Sequence, residues 1–227
     1  MAQAISSPHR GLPLVLIGNA LLRVSGSAGG VLVGLYLAEL AGQGRVLDAV
    51  ALGGTLGTVF FAAELIGALP LGALSDAFAP RAMMILGALL GAVATQLFGM
   101  SGAVTVFFLS RVLEGLAVAA SGPAVLAHLT DVTESDAALR GKVMSYYELS
   151  LLGGIALGAL IGGGLWEALG TGAFTAMALV YVACAILLAA GATGSRKHGG
   201  SEALAGLRKA LTDPYLLRLA PAWLCIN

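Results

Sequence analysis

Long apolar runs separated by short polar turns dominate this chain. A helix needs about 20 mostly apolar residues to cross the hydrocarbon core of a bilayer. Six runs meet that length: Leu12–Ala38, Val50–Leu74, Ala82–Met100, Val104–Leu129, Val143–Leu165 and Gly172–Gly191. Polarity does not alternate within them, which argues against transmembrane strands. The pattern predicts an all-α membrane protein, a bundle of six transmembrane helices.

The same pattern divides the chain into three parts. Residues 1–191 form the predicted six-helix transmembrane bundle, and the first apolar run is too long for the 7–15-residue core of a signal peptide. Residues 192–213 are more polar and are expected to form a cytoplasmic central loop, in which Ser201–Leu211 has the spacing of an amphipathic helix. A new apolar run within 214–227 is too short to span a bilayer, and we expect it to be the start of a truncated seventh helix.

Composition supports lipid as the main solvent of the protein. The chain is 58% hydrophobic and 11% charged, whereas soluble domains average about 45–50% apolar and about 25% charged residues. Its formal net charge is zero and it has no basic tract, so no nucleic-acid partner is expected. No metal-ligand spacing and no phosphate-binding G-x-x-x-x-G-K-S/T occurs, so neither a metal nor a cofactor is expected.

Basic residues predict the orientation. With the N-terminus in the cytoplasm, the outer loops hold only Arg45. The cytoplasmic side then holds nine basic residues: Arg10, Arg81, Arg140, Lys142, Arg196, Lys197, Arg208, Lys209 and Arg218. Because Lys and Arg are enriched in cytoplasmic loops, we expect an integral protein of the plasma (inner) membrane with a cytoplasmic N-terminus.

Five charged side chains lie inside the apolar runs: Arg23, Glu64, Arg111, Glu114 and Glu148. A charge near the bilayer centre costs roughly 2.5–3.5 kcal/mol on insertion scales, so such residues generally face a polar cavity or a partner charge. Arg23 and Glu64 are expected near the midplane, and Glu148 is expected at a shallower depth, about one and a half turns in from the cytoplasm. Arg111 and Glu114, three residues apart, share a helix face. These positions favour a transport protein with a substrate or proton pathway.

Each of these charges has two possible roles. It is either a member of a structural interhelical ion pair or a part of the pathway. A carboxylate between apolar surroundings and a neighbouring guanidinium can gain or lose a proton as access alternates. Glu64 and Glu114 are therefore candidate proton carriers, with the arginines as their modulators or as a site for an anionic group. The charges also agree with an inverted-repeat relation between helices 1–3 and 4–6.

Three segments resemble one transporter family. The stretch Gly72-Ala-Leu74-Ser-Asp76-Ala-Phe-Ala-Pro-Arg81 resembles G-x-L-x-D-R-x-G-R-K/R, the signature between helices 2 and 3 of the major facilitator superfamily, with Ala, Ala and Pro where that family has Arg, Gly and Arg. The segment from Arg111 to Ala120 resembles its fourth-helix pattern R-x-x-Q-G-x-G-A-A, with Glu114 in place of Gln. The segment from Gly154 to Gly163 resembles its fifth-helix antiporter pattern G-x-x-x-G-P-x-x-G-G, with Ala in place of Pro.

The resemblance carries implications for architecture and function. Members of that family have two six-helix halves, so this chain resembles the N-terminal half plus the central loop, and the C-terminal half would be its partner. Gly72, Asp76 and Arg81 would form a cytoplasmic gating loop, with Asp76 as the latch to the other half and Arg81 assisting. The implied function is secondary active transport of a small molecule by alternating access. Proton coupling is expected, and export is slightly favoured by the fifth-helix pattern.

Glycines recur at four-residue spacing on three helices. Small residues at this spacing let helix backbones approach closely in lipid. Ordinary helix packing and sliding contacts during transport both fit the pattern. The three sets are Gly30-xxx-Gly34, Gly87-xxx-Gly91 and Gly154-xxx-Gly158-xxx-Gly162.

Two other classes of protein are open alternatives. A non-transporting membrane scaffold or receptor would have no need for several charges near the midplane. An intramembrane serine protease is suggested by Gly99-Met100-Ser101-Gly102, which matches the G-x-S-G of rhomboid-type enzymes. That chemistry needs a histidine beside the serine. His128 is expected at the other end of helix 4 from Ser101, so we interpret Ser101 as a turn residue and expect no enzyme.

Overall fold

The structure, a computed structural model, describes residues 11–77 and 79–192. These residues form six α-helices that are each long and apolar enough to cross a membrane, which confirms the predicted all-α bundle. The helices are α1 Leu12–Gly42, α2 Ala49–Ala77, α3 Pro80–Met100, α4 Val104–Val132, α5 Ala137–Leu169 and α6 Gly172–Gly191. The predicted central loop (192–213), apart from Ala192, and the predicted seventh-helix start (214–227) lie outside the described residues.

The predicted apolar runs were shorter than the helices for α1 to α5, and only α6 has the predicted bounds. Hydropathy marks where a helix leaves the hydrocarbon, whereas the backbone hydrogen bonds continue through polar residues until a cap or turn ends them. The segment between α4 and α5 shows the difference. The predicted apolar run began only at Val143, yet α5 begins at Ala137, where the side chain of the N-cap residue Asp136 accepts a hydrogen bond from the Leu139 amide at 2.9 Å.

The helices pack as an open series in the order α5, α1, α6, α3, α4, α2. Within the described residues, α2 and α5 contact each other marginally at most, so the series leaves one side of the bundle open between them. Exchanging α1 with α4, α2 with α5 and α3 with α6 reproduces the same set of neighbours. That symmetry is the packing expected of inverted repeats.

Two apolar cores occupy opposite ends of the bundle. One lies at the end where α1 and α3 begin, and contains Val15, Met84, Leu129 and Leu188. The other, the Tyr36 end, contains Leu32, Leu40 and five aromatic residues in ring contact: Tyr36, Phe98, Phe107, Trp166 and Phe174. The Tyr36 hydroxyl donates to the Ser101 carbonyl at 3.1 Å. The charged residues of the helix interiors lie between these two cores.

Candidate functional site: a charged cavity between the apolar cores

A cavity of about 360 Å³ lies in the middle of the bundle and is lined by all six helices. Its charged walls are Arg23 of α1, Glu64 of α2 and Glu114 of α4. The remaining polar groups are Ser27, Ser121 and Tyr181, and aromatic surface comes from Phe60, Phe61 and the Tyr181 ring. Gly87 of α3 and Ile155 of α5 contribute no charge. The cavity therefore combines opposite charges with aromatic surface.

Arg111 and Glu114 form a buried ion pair, in which Glu114 lines the cavity and Arg111 does not. The Arg111 Nη2 lies 2.7 Å from the Glu114 Oε2, and the two residues are 8% and 4% exposed. The guanidinium carbon lies 5.3 Å from the ring centroid of Phe98 and 5.9 Å from that of Phe60, a cation–π arrangement. One turn of α4 thus holds the pair by its i, i+3 spacing, while α2 and α3 supply the aromatic faces.

Arg23 and Glu64 differ from the Arg111–Glu114 pair, because both line the cavity and are only half-buried. The Arg23 guanidinium is close enough to act electrostatically on the Glu64 carboxylate. Yet no ion pair within 4 Å joins Glu64 to another of the described residues. The Arg23 Nε is buried and lacks a hydrogen-bond partner in the described part of the chain. Arg23 and Glu64 therefore interact across a distance, without the direct contact that joins Arg111 to Glu114.

A glycine on α4 brings Glu64 to the cavity. A Cβ on Gly115 would lie 2.9 Å from both the Ala63 Cβ and the Glu64 amide nitrogen, and it would also collide with the Phe60 carbonyl oxygen. Real Cβ atoms do not approach so closely, so only glycine lets α2 pack at this distance from α4. Gly115 follows Glu114 directly, so one short stretch of α4 supplies a charge and admits the neighbouring helix.

Tyr181 of α6 is a cavity residue that the sequence analysis missed. It is 4% exposed, and its ring packs so closely on Gly91 that a Cβ there would lie 2.6 Å from a ring carbon. Its hydroxyl lies 3.5 Å from the position of a Cβ on Gly26. A tyrosine in an otherwise apolar helix could have indicated this position from the sequence, because a buried phenol hydroxyl usually has a polar neighbour.

Glu148 lies apart from the cavity. It is exposed on α5 and is not among the residues that line the cavity. α5 begins at Ala137, six residues before the predicted start at Val143. Glu148 therefore lies about three turns from the helix start at 3.6 residues per turn.

The predicted gating loop is mostly helical. Gly72 and Asp76 belong to α2, which continues to Ala77, and Arg81 is exposed in the first turn of α3. The connection between the two helices is thus shorter than the gap between the predicted runs, which ended at Leu74 and resumed at Ala82, because α3 begins at Pro80. Proline suits the first turn of a helix, where its missing N–H would lack an intrahelical acceptor.

Three glycines of α5 form a close contact with α1. A Cβ on Gly154 would lie 2.6 Å from the Arg23 Cβ, one on Gly158 would lie 2.8 Å from the Ser27 Cβ, and one on Gly162 would lie 3.0 Å from the Ala28 carbonyl oxygen. Two hydrogen bonds cross the same contact. Asn19 donates to the Ser150 hydroxyl at 2.8 Å, and Ser27 donates to the Ile155 carbonyl at 2.7 Å.

Ser101 lies in the turn between α3 and α4, where its hydroxyl accepts a hydrogen bond from the Ala103 amide at 3.1 Å. His128 is buried near the other end of α4. The 24 intervening helical residues from Val104 place it about 36 Å away along the axis at 1.5 Å per residue. His128 therefore cannot act as the base that a serine protease would need at Ser101.

Comparison with known proteins

Six membrane-length apolar helices around a charged central cavity define the chain as an integral membrane protein. A family model described as Major Facilitator Superfamily matches residues 15–227. The chain therefore belongs to the Major Facilitator Superfamily, as the three sequence motifs predicted, and is an integral membrane protein.

Two curated relatives come from Bacillus subtilis (strain 168). Multidrug resistance protein 2 is 33% identical over 110 residues, which cover 48% of this chain and 27% of that protein. Multidrug resistance protein 1 is 34% identical over 92 residues, which cover 40% of this chain and 23% of that protein. The matched segments thus span about a quarter of each relative.

Solved transporters share the fold. A peptide transporter POT in complex with sulfate superposes with a TM-score of 0.70 at 19% identity, covering 96% of this chain and 46% of the other. The human organic anion transporter MFSD10 (TETRAN) gives a TM-score of 0.65 at 18% identity, covering 92% of this chain and 54% of the other. The chain therefore spans about half the length of these structures.

Proposed function

We propose that this chain is the N-terminal half of a secondary active transporter that moves a small molecule across the membrane by alternating access. The observation that carries the proposal is the central cavity, because it places Arg23, Glu64 and Glu114 deep between two apolar cores. Charges at that depth are costly unless they serve a pathway or a partner. A scaffold or receptor would have no use for the half-buried pair of Arg23 and Glu64.

A second six-helix half is the partner that this architecture requires. The bundle is open between α2 and α5, and these two helices are the least covered. Only 6% of the most apolar stretch of α2 and 17% of that of α5 are buried, against 44–50% in the other four helices. The cavity reaches this open side through Phe61 and Ile155, which are both exposed. A second half placed against α2 and α5 would close the cavity on that side. The chain covers about half the length of the solved transporters that share its fold, which supports the proposal of a second half.

Proton coupling is the second part of the proposal, and the geometry ranks the carboxylates. Glu114 is engaged by Arg111 at 2.7 Å, which favours a structural role as the counter-charge of that buried guanidinium. Glu64 is half-buried on the cavity wall and has no such partner among residues 11–77 and 79–192. Glu64 is therefore the stronger candidate to exchange a proton, with Arg23 as its modulator. Glu148 is left as a candidate at the open side.

We expect Glu64→Gln to abolish transport driven by a pH gradient. The amide keeps the shape of the side chain but cannot take up or release a proton. The measurement is ethidium efflux from proteoliposomes that contain this bundle with its second half, under an imposed pH gradient. Exchange of ethidium across equal concentrations should continue, because it requires no net proton movement.

Glu114→Gln is the matched comparison for that experiment. We expect it to retain pH-driven efflux in the molecules that fold. Loss of pH-driven efflux in Glu114→Gln, with full retention in Glu64→Gln, would assign the proton to Glu114 instead. Flux that responds to neither the pH gradient nor the membrane potential would replace proton coupling with facilitated diffusion.

Export and cytoplasmic gating complete the proposal. The names of the two multidrug resistance relatives favour export of an organic compound. Asp76, at the end of α2, is the candidate latch to the second half, with Gly72 on the same helix and Arg81 on α3 beside the turn. Alternating access would open and close this end of the bundle.

The proposed orientation in the plasma membrane predicts which thiols react from outside. We expect a cysteine placed at Gln43, in the turn after α1, to react with a membrane-impermeant maleimide added to intact cells. A cysteine placed at His198 should react only after the cells are permeabilised, because the N-terminus and the central loop are proposed to be cytoplasmic. The reverse labelling pattern would invert the topology.

A further inference from the structure

A groove of about 310 Å³ runs along the surface of the bundle between α3 and α6. It is nearly all apolar, with one amide and one hydroxyl in its walls. Its lining residues are Ala92, Val93, Gln96, Leu97, Thr175, Ala178, Leu179 and Val182. None of these residues lines the central cavity, so the groove is a separate feature.

The groove faces away from the open side of the bundle. In the packing order α5, α1, α6, α3, α4, α2, the pair α3 and α6 stands in the middle, opposite the gap between α2 and α5. A second six-helix half placed at that gap leaves the α3–α6 face uncovered. Since both helices are long and apolar enough to cross the membrane, the groove is in contact with the bilayer.

Polarity changes along the groove as it does along a phospholipid. Gln96 lies four residues before the end of α3 and Thr175 three residues after the start of α6, so both are about 5 Å from the Tyr36 end of the bundle at 1.5 Å per residue. Ala92 and Val182 lie deeper, about 12 and 15 Å from the same end. The two polar groups thus lie at the end of the groove nearest the ends of the helices, and the apolar walls continue toward the middle of the bundle.

The two polar side chains have unused hydrogen-bonding capacity. Threonines on other helices return their hydroxyls to their own backbone: Thr55 to the Ala51 carbonyl, Thr58 to the Gly54 carbonyl and Thr130 to the Leu126 carbonyl, at 2.8–3.0 Å. Across residues 11–77 and 79–192, Gln96 and Thr175 have no such partner. A polar group left unpaired in hydrocarbon is unfavourable by several kcal/mol, so a ligand with an acceptor is favoured here.

We propose that this groove binds one acyl chain of a membrane glycerophospholipid, with Gln96 and Thr175 donating hydrogen bonds to its ester carbonyl. The chain lies against Val93, Ala178 and Val182, and the headgroup extends past the Tyr36 end of the bundle. An ester carbonyl is an acceptor that matches the two donors. It stands at the headgroup end of an acyl chain, as the two donors stand at the end of the groove nearest the helix ends. The site is independent of the transport proposal, because it uses neither the cavity nor its charges.

The test compares an ester lipid with an ether lipid of the same shape. The 227-residue chain is placed in nanodiscs of palmitoyl-oleoyl phosphatidylcholine that contain a trace of phosphatidylcholine with a diazirine on one chain. One sample uses the diester form of this probe and the other uses the dialkyl ether form, which lacks the carbonyls. After photolysis, mass spectrometry of peptides reports labelling at residues 92–97 and 175–182. We expect several-fold more labelling of these residues by the diester.

Substitution of the two donors provides the second arm. Gln96→Leu with Thr175→Val keeps side-chain size and removes both donors, and we expect diester labelling to fall to the ether level. The matched control is Thr58→Val, which removes a hydroxyl already bonded to its own helix and should leave groove labelling unchanged. Helix content by circular dichroism and a single elution peak establish that each variant is folded.

Three results would overturn the proposal. Equal labelling by diester and ether in the unsubstituted chain would mean that the carbonyl is not recognised, and this arm requires no variant to fold. Unchanged labelling in the double variant would exclude Gln96 and Thr175 as the donors. If the groove takes up no lipid label and the particles contain two cross-linked copies of the chain, a second copy of the chain is the occupant of the groove.

Discussion

Arg111→Ala is expected to lower the free energy of unfolding by about 3–5 kcal/mol, the usual effect of removing one member of a buried ion pair. The substitution leaves the Glu114 carboxylate uncompensated at 4% exposure. It also removes the guanidinium from between Phe60 and Phe98, so α2 and α3 lose a shared contact on α4. Denaturant unfolding of the chain in micelles, followed by circular dichroism, measures the change.

Two companion variants separate charge from packing. Adding Glu114→Gln to Arg111→Ala should recover part of the lost stability, because an amide is less costly to bury than an unpaired carboxylate. Relative to Arg111→Ala, Arg111→Lys should recover only part of the stability, since the ammonium keeps a positive charge for Glu114 but lacks the planar group that stacks against the aromatic rings. Arg81→Ala is the control, because that arginine is exposed and its loss should change stability by less than about 1 kcal/mol. If Arg111→Ala changes the free energy of unfolding no more than Arg81→Ala does, a structural role for the Arg111–Glu114 pair is excluded.

Gly158→Ala is expected to destabilise the chain by about 1–3 kcal/mol, the usual range for overpacking a close contact. The added methyl group would lie 2.8 Å from the Ser27 Cβ and 3.0 Å from the Ala28 amide nitrogen, and it would collide with the Val24 carbonyl oxygen. Two of these three atoms belong to backbone, which cannot rotate away. The helices α1 and α5 would have to separate, and the hydrogen bond from Asn19 to Ser150 would lengthen.

Gly163→Ala on the same helix is the matched control. A Cβ on Gly163 meets no atom within 4 Å, so alanine should be neutral or stabilise the helix by up to about 1 kcal/mol through its higher helix propensity. The same unfolding measurement serves both variants. Equal effects of Gly158→Ala and Gly163→Ala would mean that the contact between α1 and α5 does not require glycine.

Transport should respond to the same substitution. The contact of Gly154 and Gly158 with α1 lies beside Arg23, whose Cβ would be 2.6 Å from a Cβ on Gly154. A shift of α5 from α1 would therefore move a wall of the cavity. In the proposed carrier, Gly158→Ala should reduce ethidium efflux even in the fraction that folds, whereas Gly163→Ala should preserve it.

The sequence by itself determined the class of fold and the position of the charges along each helix. The length of an apolar run can be read directly from the sequence and compared with the thickness of a bilayer, so six helices could be counted from the chain alone. The spacing of Arg111 and Glu114 also placed them on one face, because residues three apart on a helix are neighbours wherever it packs. The family followed from short motifs whose residues are contiguous in sequence, and the family model over residues 15–227 confirms it.

Only the tertiary structure decided which helices meet and how each is rotated. Gly30 and Gly34 have the same spacing as Gly154 and Gly158, yet a Cβ on either of the first two would meet no atom within 4 Å. Glu64 lines the cavity while Glu148, also in an apolar run, does not. Tyr181 joins the site from a helix that carries no charge. The spacing of residues fixes the face of a helix that they share, but contacts with other helices set the direction in which that face points.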